Sequence, residues 1–172
     1  MSKDEFLKQQ YLTLRDEIRS SKSRAFFLTV LGTLLIPVIA YGAQASDLTF
    51  ATASMPFIIL VIMLAFLMEQ NSIVRAGRYL KEHVEPHIDG VMTWETWLES
   101  NHRLREMDKY FFGSSCLIFF LFYAIGSIAA VMSWAQSEWP EQYFYAAVAY
   151  GIGGFWFVVV FFRHWHSSTT TS

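Results

Sequence analysis

The chain has 172 residues, room for one compact domain, and is 53% hydrophobic with only 16% charged residues; a soluble domain carries about 25% charged residues, so much of this chain is not built for water. Its formal net charge of −2 removes it from the strongly basic proteins that bind nucleic acid. Cys116 is the only cysteine, which excludes an intrachain disulfide and a thiolate metal cluster; set in an apolar run, it reads as a buried structural thiol.

Residues 1–24 predict a cytoplasmic amphipathic helix. Ser2 and Glu5 have capping-box spacing, which satisfies free amides at a helix start. Leu7, Tyr11, Leu14 and Ile18 then recur at helical intervals, with Lys8, Arg15, Asp16, Arg19 and Lys22 largely around them. The expected use of this stripe is packing on the protein's own cytoplasmic helices. Lying on the membrane surface and pairing with a second copy are the alternatives.

Four apolar stretches follow: about 25–45, 48–68, 111–134 and 143–162. None contains Asp, Glu, Lys, Arg or His, and each is close to the roughly 20 residues that cross a 30 Å hydrocarbon core. A cleaved signal peptide does not fit the first stretch, which follows a charged, helix-patterned segment and is too long. Pro37 predicts a bend in the first span, and Pro56 lies near the start of the second.

Between the hairpins, residues 69–110 form a cytoplasmic helical segment. EQNSIVRAGRYLKEHVE has no breaker before Pro86, so the second span is predicted to project beyond the membrane with Ile73, Gly77, Leu80 and Val84 on one face. Pro86 and Asp89-Gly90 predict a turn. Thr93 is the expected cap of a further helix that runs into the third span, with Trp94, Trp97, Leu98, Leu104, Met107 and Phe111 on its apolar face. TLRDEI around Arg15 and RLREMD around Arg105 occupy similar places before their spans, which suggests a duplication or the shared helix-hairpin layout alone.

All 13 lysines and arginines lie in residues 1–24, in 69–110 or at Arg163, and the loops near Asp47 and 136–142 carry only acids. Basic residues are retained inside during insertion. The expectation is therefore an all-α membrane protein of the inner membrane, with four transmembrane helices as two antiparallel hairpins (25–68 and 111–162) and amphipathic helices before the first span, extending the second and before the third. Both termini, including the tail 163–172, are expected in the cytoplasm, and residues 1–172 form a single polytopic domain. Trp134, Trp139, Tyr143 and Tyr145 would form the outer aromatic belt, and Tyr110, Phe111, Phe112 and Trp165 would lie near the inner one.

Gly126 and Ala130, and Ala147 and Gly151 followed by Gly153 and Gly154, have the spacing that lets helix backbones approach in lipid. They serve packing within the chain or an oligomer, and an oligomer is expected. Spans without ionisable groups argue against a pump or coupled transporter. A pore of several copies lined by Thr29, Thr33, Ser114, Ser115 and Ser127 is the alternative; dye entry and a collapsed membrane potential on overexpression would mark it.

Chemistry is sparse. His83 and His87 with Glu85 resemble a ligand pair only until Pro86 interrupts the helix, and His164 and His166 diverge around Trp165. No catalytic signature appears, so no enzyme, metal or cofactor is expected; a pocket gathering Glu69, His83, His87 and Glu95 would revive a membrane enzyme. The most suggestive polar group follows the second span: Glu69, Gln70, Asn71, Arg75, Arg78 and Tyr79. Asn71, Arg75 and Arg78 share a helix face, and arginine forks suit an anionic lipid headgroup, a nucleotide or an acidic protein partner. Pairing with Glu69, Glu82 or acidic residues of the neighbouring helices is the competing use. Arg15 and Arg19 of the first helix are further cationic candidates.

The expected function is that of a non-enzymatic membrane subunit, an anchor, accessory or signal-responsive component, whose cytoplasmic helices bind a partner or anionic ligand. The layout is similar to that of small prokaryotic membrane proteins with short outer loops, some of which serve as effectors or accessory subunits in phage-defence and stress systems.

Overall fold

A computed structural model describes residues 3–45, 49–87, 94, 97–98, 101–135 and 140–169. Every regular element among them is helical: α1 (Lys3–Ala45), α2 (Thr49–Tyr79), a π-helical turn (Leu80–Val84), a 3-10 turn (Glu85–His87), α3 (His102–Ala135) and α4 (Pro140–Thr169). Four helices are long and apolar enough to cross a membrane. α1 has 43 residues, roughly 65 Å at 1.5 Å per residue, about twice what a 30 Å hydrocarbon core requires. It passes through Pro37, and α2 passes through Pro56, without ending.

Proline chemistry also explains the end of α2. Pro86 has no amide to donate and its ring crowds the preceding turn. The ladder changes register before it: the Glu85 amide donates to the Leu80 carbonyl, an i to i+5 bond, and the chain then tightens into the 3-10 turn. α4 begins at Pro140, where the missing amide costs nothing because it would have had no helical partner.

One expected element differs. The helix predicted from Thr93 straight into the third span is interrupted at Asn101, which is not helical; its amide donates to the carbonyls of Trp97 (3.1 Å) and Leu98 (3.3 Å). Asn101 immediately precedes α3, the position where asparagine is favoured because its side chain can serve free amides of the first turn. Several other expectations lie outside the described residues: the cap at Ser2, the loop at Asp47, the turn at Asp89-Gly90, the cap at Thr93, and the side chains of Leu104, Trp139, Tyr143, His164, Trp165 and His166.

The chain divides into two compact units, Met1–Thr29 with Leu64–Ser114, and Val30–Met63 with Ser115–Ser172. The first contains most of the described charges. Its core gathers Ile18, Ala76, Leu80 and Val84, with Tyr11, Leu14 and Ile73 packed against them, so the N-terminal stripe meets apolar residues of the segment that follows the second apolar run. Phe66 stacks on Phe112 at 6.0 Å, and Trp94 lies against Trp97.

The second unit is apolar on both its inside and its outside. Ile59, Met63 and Phe119 are fully buried, while Val38, Phe50, Ile125 and Phe155 are among many large apolar side chains left exposed. Such a surface is unfavourable in water and suits a hydrocarbon surround. The hydroxyls of two of its buried tyrosines are tied to backbone: Tyr150 donates to the Ala53 carbonyl at 2.7 Å, and Tyr123 donates to the Tyr150 carbonyl at 2.6 Å. Where no water is available, a buried hydroxyl needs such a partner.

Candidate functional site

The site is built on the part of α2 that lies in the charged unit. One side of this segment is committed to the core through Phe66 and Ala76, continued by Leu80 at the start of the π-helical turn. On the opposite side, Asn71, Arg75 and Arg78 follow one another at intervals of four and three residues and all are exposed, as expected of positions that share a helix face.

Next to this face is a pairing that sequence reasoning missed. Glu69, expected to compete for Arg75 and Arg78, is held by Arg24 of α1. The guanidinium places Nε 2.7 Å from Oε1 and a terminal nitrogen 2.9 Å from Oε2, a two-pronged contact. The same guanidinium donates to Ser20 Oγ at 2.6 Å and to Ser21 Oγ at 2.9 Å. Hydrogen bonding from Arg24 holds the Glu69 carboxyl below the usual carboxylate range, against the opposing effect of partial burial, and Glu69 in turn raises the Arg24 guanidinium. A signal for this pair was present: Arg24 is the last residue before the first apolar run and Glu69 is the first after the second. A hairpin of two such runs sets those two flanks at one level.

Among the described residues Arg75 reaches only Ser72 Oγ, at 3.4 Å, a long and weak contact. Asn71 and Arg78 have no hydrogen-bond or ion-pair partner among the described residues. Tyr79, expected to belong with them, is used differently: it accepts from Gln10 Nε2 at 2.9 Å and its ring stacks on His83 at 4.9 Å. Arg15 sits 5.0 Å above the Trp94 ring, a cation–π contact, and is half-buried, whereas Arg19 is exposed. Beside Tyr79, an open cleft of about 570 Å³ is lined by Phe6, Gln9, Gln10, Thr13 and Leu14.

Of the histidines, His87 has Nδ1 3.1 Å from the His83 carbonyl, and the His83 ring is stacked on Tyr79. Among the described residues no three His, Cys, Asp or Glu side chains converge as ligands.

The packing candidates lie in the apolar unit and separate into two groups. Gly126 and Ala130 are buried, with a Cβ at Gly126 coming within 3.4 Å of Ile59. Gly154 is half-buried, its Cβ position 3.2 Å from the Tyr123 ring. Ala147 is half-buried, and Gly151 is exposed with open space around it. Two glycines are tighter still: Gly32, which spacing did not single out, and Gly153, which followed the Ala147–Gly151 pair. A Cβ at Gly32 would stand 2.7 Å from the Phe119 ring, and one at Gly153 would overlap the Tyr123 hydroxyl.

The arginine face therefore offers two guanidinium forks and a carboxamide, donors suited to phosphate or carboxylate oxygens. No protein-family model matches the chain, and no curated protein or solved structure matches it either.

Proposed function

We propose that this chain is a non-enzymatic, self-associating protein of the inner membrane, an accessory or signal-responsive subunit that binds an anionic ligand or partner through Asn71, Arg75 and Arg78. Its four apolar helices form two antiparallel transmembrane hairpins, and both termini and residues 69–110 face the cytoplasm. The placement of all lysines and arginines outside the apolar runs supports that orientation. Contacts of Arg24 with Glu69 and of Gln10 with Tyr79 support the first hairpin, because rising numbers on one helix meet falling numbers on the other. Gly151, open on α4, supports self-association through a small-residue surface.

The observation that carries the binding role is the division of charge in the charged unit. Glu69, one carboxylate expected to compete, is taken by Arg24, while Arg75 and Arg78 remain exposed without a carboxylate partner among the described residues. A guanidinium pair with its donors directed to solvent is ready for an external anion.

The test is affinity capture of the tagged full-length protein from crosslinked membranes, wild type against an Arg75→Ala/Arg78→Ala variant. Wild type should bring down a second copy and a bound partner or anionic ligand, and the variant should lose the latter while keeping the copy. A wild-type protein that is strictly monomeric and retains nothing would sink the proposal.

A further inference from the structure

We infer that the anion held by Asn71, Arg75 and Arg78 is the phosphate headgroup of an anionic phospholipid whose acyl chains lie along the same side of α2; this rests on the reading of that face given above. The first reason is continuity. Leu64, Met68, Asn71, Arg75 and Arg78 follow one another at intervals of four, three, four and three residues, so they form one stripe on a single helix face. Its apolar beginning is exposed, Met68 by 68% and Leu64 by 37%. In a membrane, a face exposed at Met68 is a face against lipid. The arginines thus stand above lipid, not above the protein's own core, which occupies the opposite side of α2 through Ala76 and Leu80.

The second reason is distance. The headgroup region adds roughly 5–8 Å to each side of the hydrocarbon core. At 1.5 Å per residue, Asn71 is about 4.5 Å, Arg75 about 10 Å and Arg78 about 15 Å beyond Met68 along the axis. Helical side chains lean toward the helix N-terminus, and the N-terminal direction of α2 is its apolar run. Both arginines therefore lean back toward the headgroups, and their flexible stems cover the remaining distance. Glu82, one turn beyond Arg78 on the same face, is further from the headgroups still and forms no ion pair with either arginine among the described residues.

The third reason is charge. A guanidinium near the surface of an anionic leaflet gains attraction that a zwitterionic leaflet does not give. A free phosphate would gain nothing from the apolar part of the stripe.

The experiment is titration of the detergent-purified full-length protein with phosphatidylglycerol or phosphatidylcholine, bound lipid being counted by native mass spectrometry. Wild type should prefer phosphatidylglycerol. In an Arg75→Ala/Arg78→Ala variant that lipid should bind about 30-fold more weakly, which is roughly 1 kcal/mol per arginine at 1.4 kcal/mol per tenfold. Phosphatidylcholine binding should be unchanged, and Lys8→Ala, an exposed cation roughly 25 Å along α1 from the first apolar run, should behave as wild type. An Arg75→Gln/Arg78→Gln variant repeats the test with a polar surface retained. Equal affinity for the two lipids, or equal phosphatidylglycerol binding by wild type and both double variants, would overturn the assignment. So would displacement of the lipid by inorganic phosphate, which would mark a site for a free anion. If the variants lose a captured protein partner but keep the lipid, the headgroup assignment falls while the binding role of the face stands. If they change neither, both fall.

Discussion

In the charged unit the apolar side chains are inside and the polar ones meet at the edge: Ile18, Leu80 and Val84 are buried together, while Arg24 grips Glu69 and Gln10 reaches Tyr79. In the apolar unit phenylalanine, valine and isoleucine cover the outside, and the polar atoms of Tyr123 and Tyr150 are buried and fastened to backbone carbonyls. The contrast follows from the solvent each unit is built for. Where water is available, burial of apolar area drives association and polar groups are satisfied at little cost. Where it is not, association depends on close fit and on satisfying each hydrogen-bonding group internally.

The largest expected effect tests the water-driven half of this comparison. Leu80→Ala empties a fully buried position in the small core around Ile18 and should cost about 2–5 kcal/mol. Hydrogen exchange should show the loss of protection in residues 5–25 and 70–85, with the amides of 115–135 unchanged. Loss spread evenly across both sets would mean that the two units do not respond separately.

Close fit in the apolar unit is sharpened by two glycines two residues apart. Gly153→Ala places a methyl group on the Tyr123 hydroxyl and 3.0 Å from Leu60. Tyr123 cannot swing away without giving up its bond to the Tyr150 carbonyl, and overpacking of this kind costs about 1–3 kcal/mol. Gly151→Ala meets open space within one chain and should leave the thermal midpoint of the detergent-dissociated monomer unchanged or slightly raised, since alanine favours a helix by roughly 0.5–1 kcal/mol over glycine. Equal loss at both positions would break the account of how this unit packs.

The smallest effect lies at the edge of the charged unit. Arg24 and Glu69 are both partly exposed, so Glu69→Gln should cost only about 0.2–1 kcal/mol at neutral pH. The sign with pH is determined by the lowered Glu69 carboxyl. Its contribution is complete above the ordinary glutamate value of about 4.3 and is lost as pH falls through the depressed folded value. Thermal midpoints of wild type and variant should therefore differ at neutral pH and converge in acid. A difference that persists unchanged in acid would exclude Glu69 as its source.

Much of the fold was legible because its signals are local. Four runs without Asp, Glu, Lys, Arg or His are enough to identify four helices of spanning length, and Pro86 marks where α2 loses its regular ladder. Asn101 was less legible, because ESNHR lies within a pattern that otherwise reads as continuous helix, and only the position of the asparagine before His102 hints at a new start. The arginine face was visible as a stripe, but whether it was already paired was not.

By itself, then, the sequence determined the helical class, the lengths of the apolar helices and which residues share a face, since each depends on neighbours a few positions away along one helix. Only the tertiary structure decided that Glu69 belongs to Arg24 and not to Arg75 or Arg78. It also decided that Tyr79 turns to Gln10 and His83, and that Gly153 is tight while Gly151 is open. Those outcomes depend on which helix faces meet. Residues 45 positions apart along the chain compete for partners through geometry that no local spacing encodes.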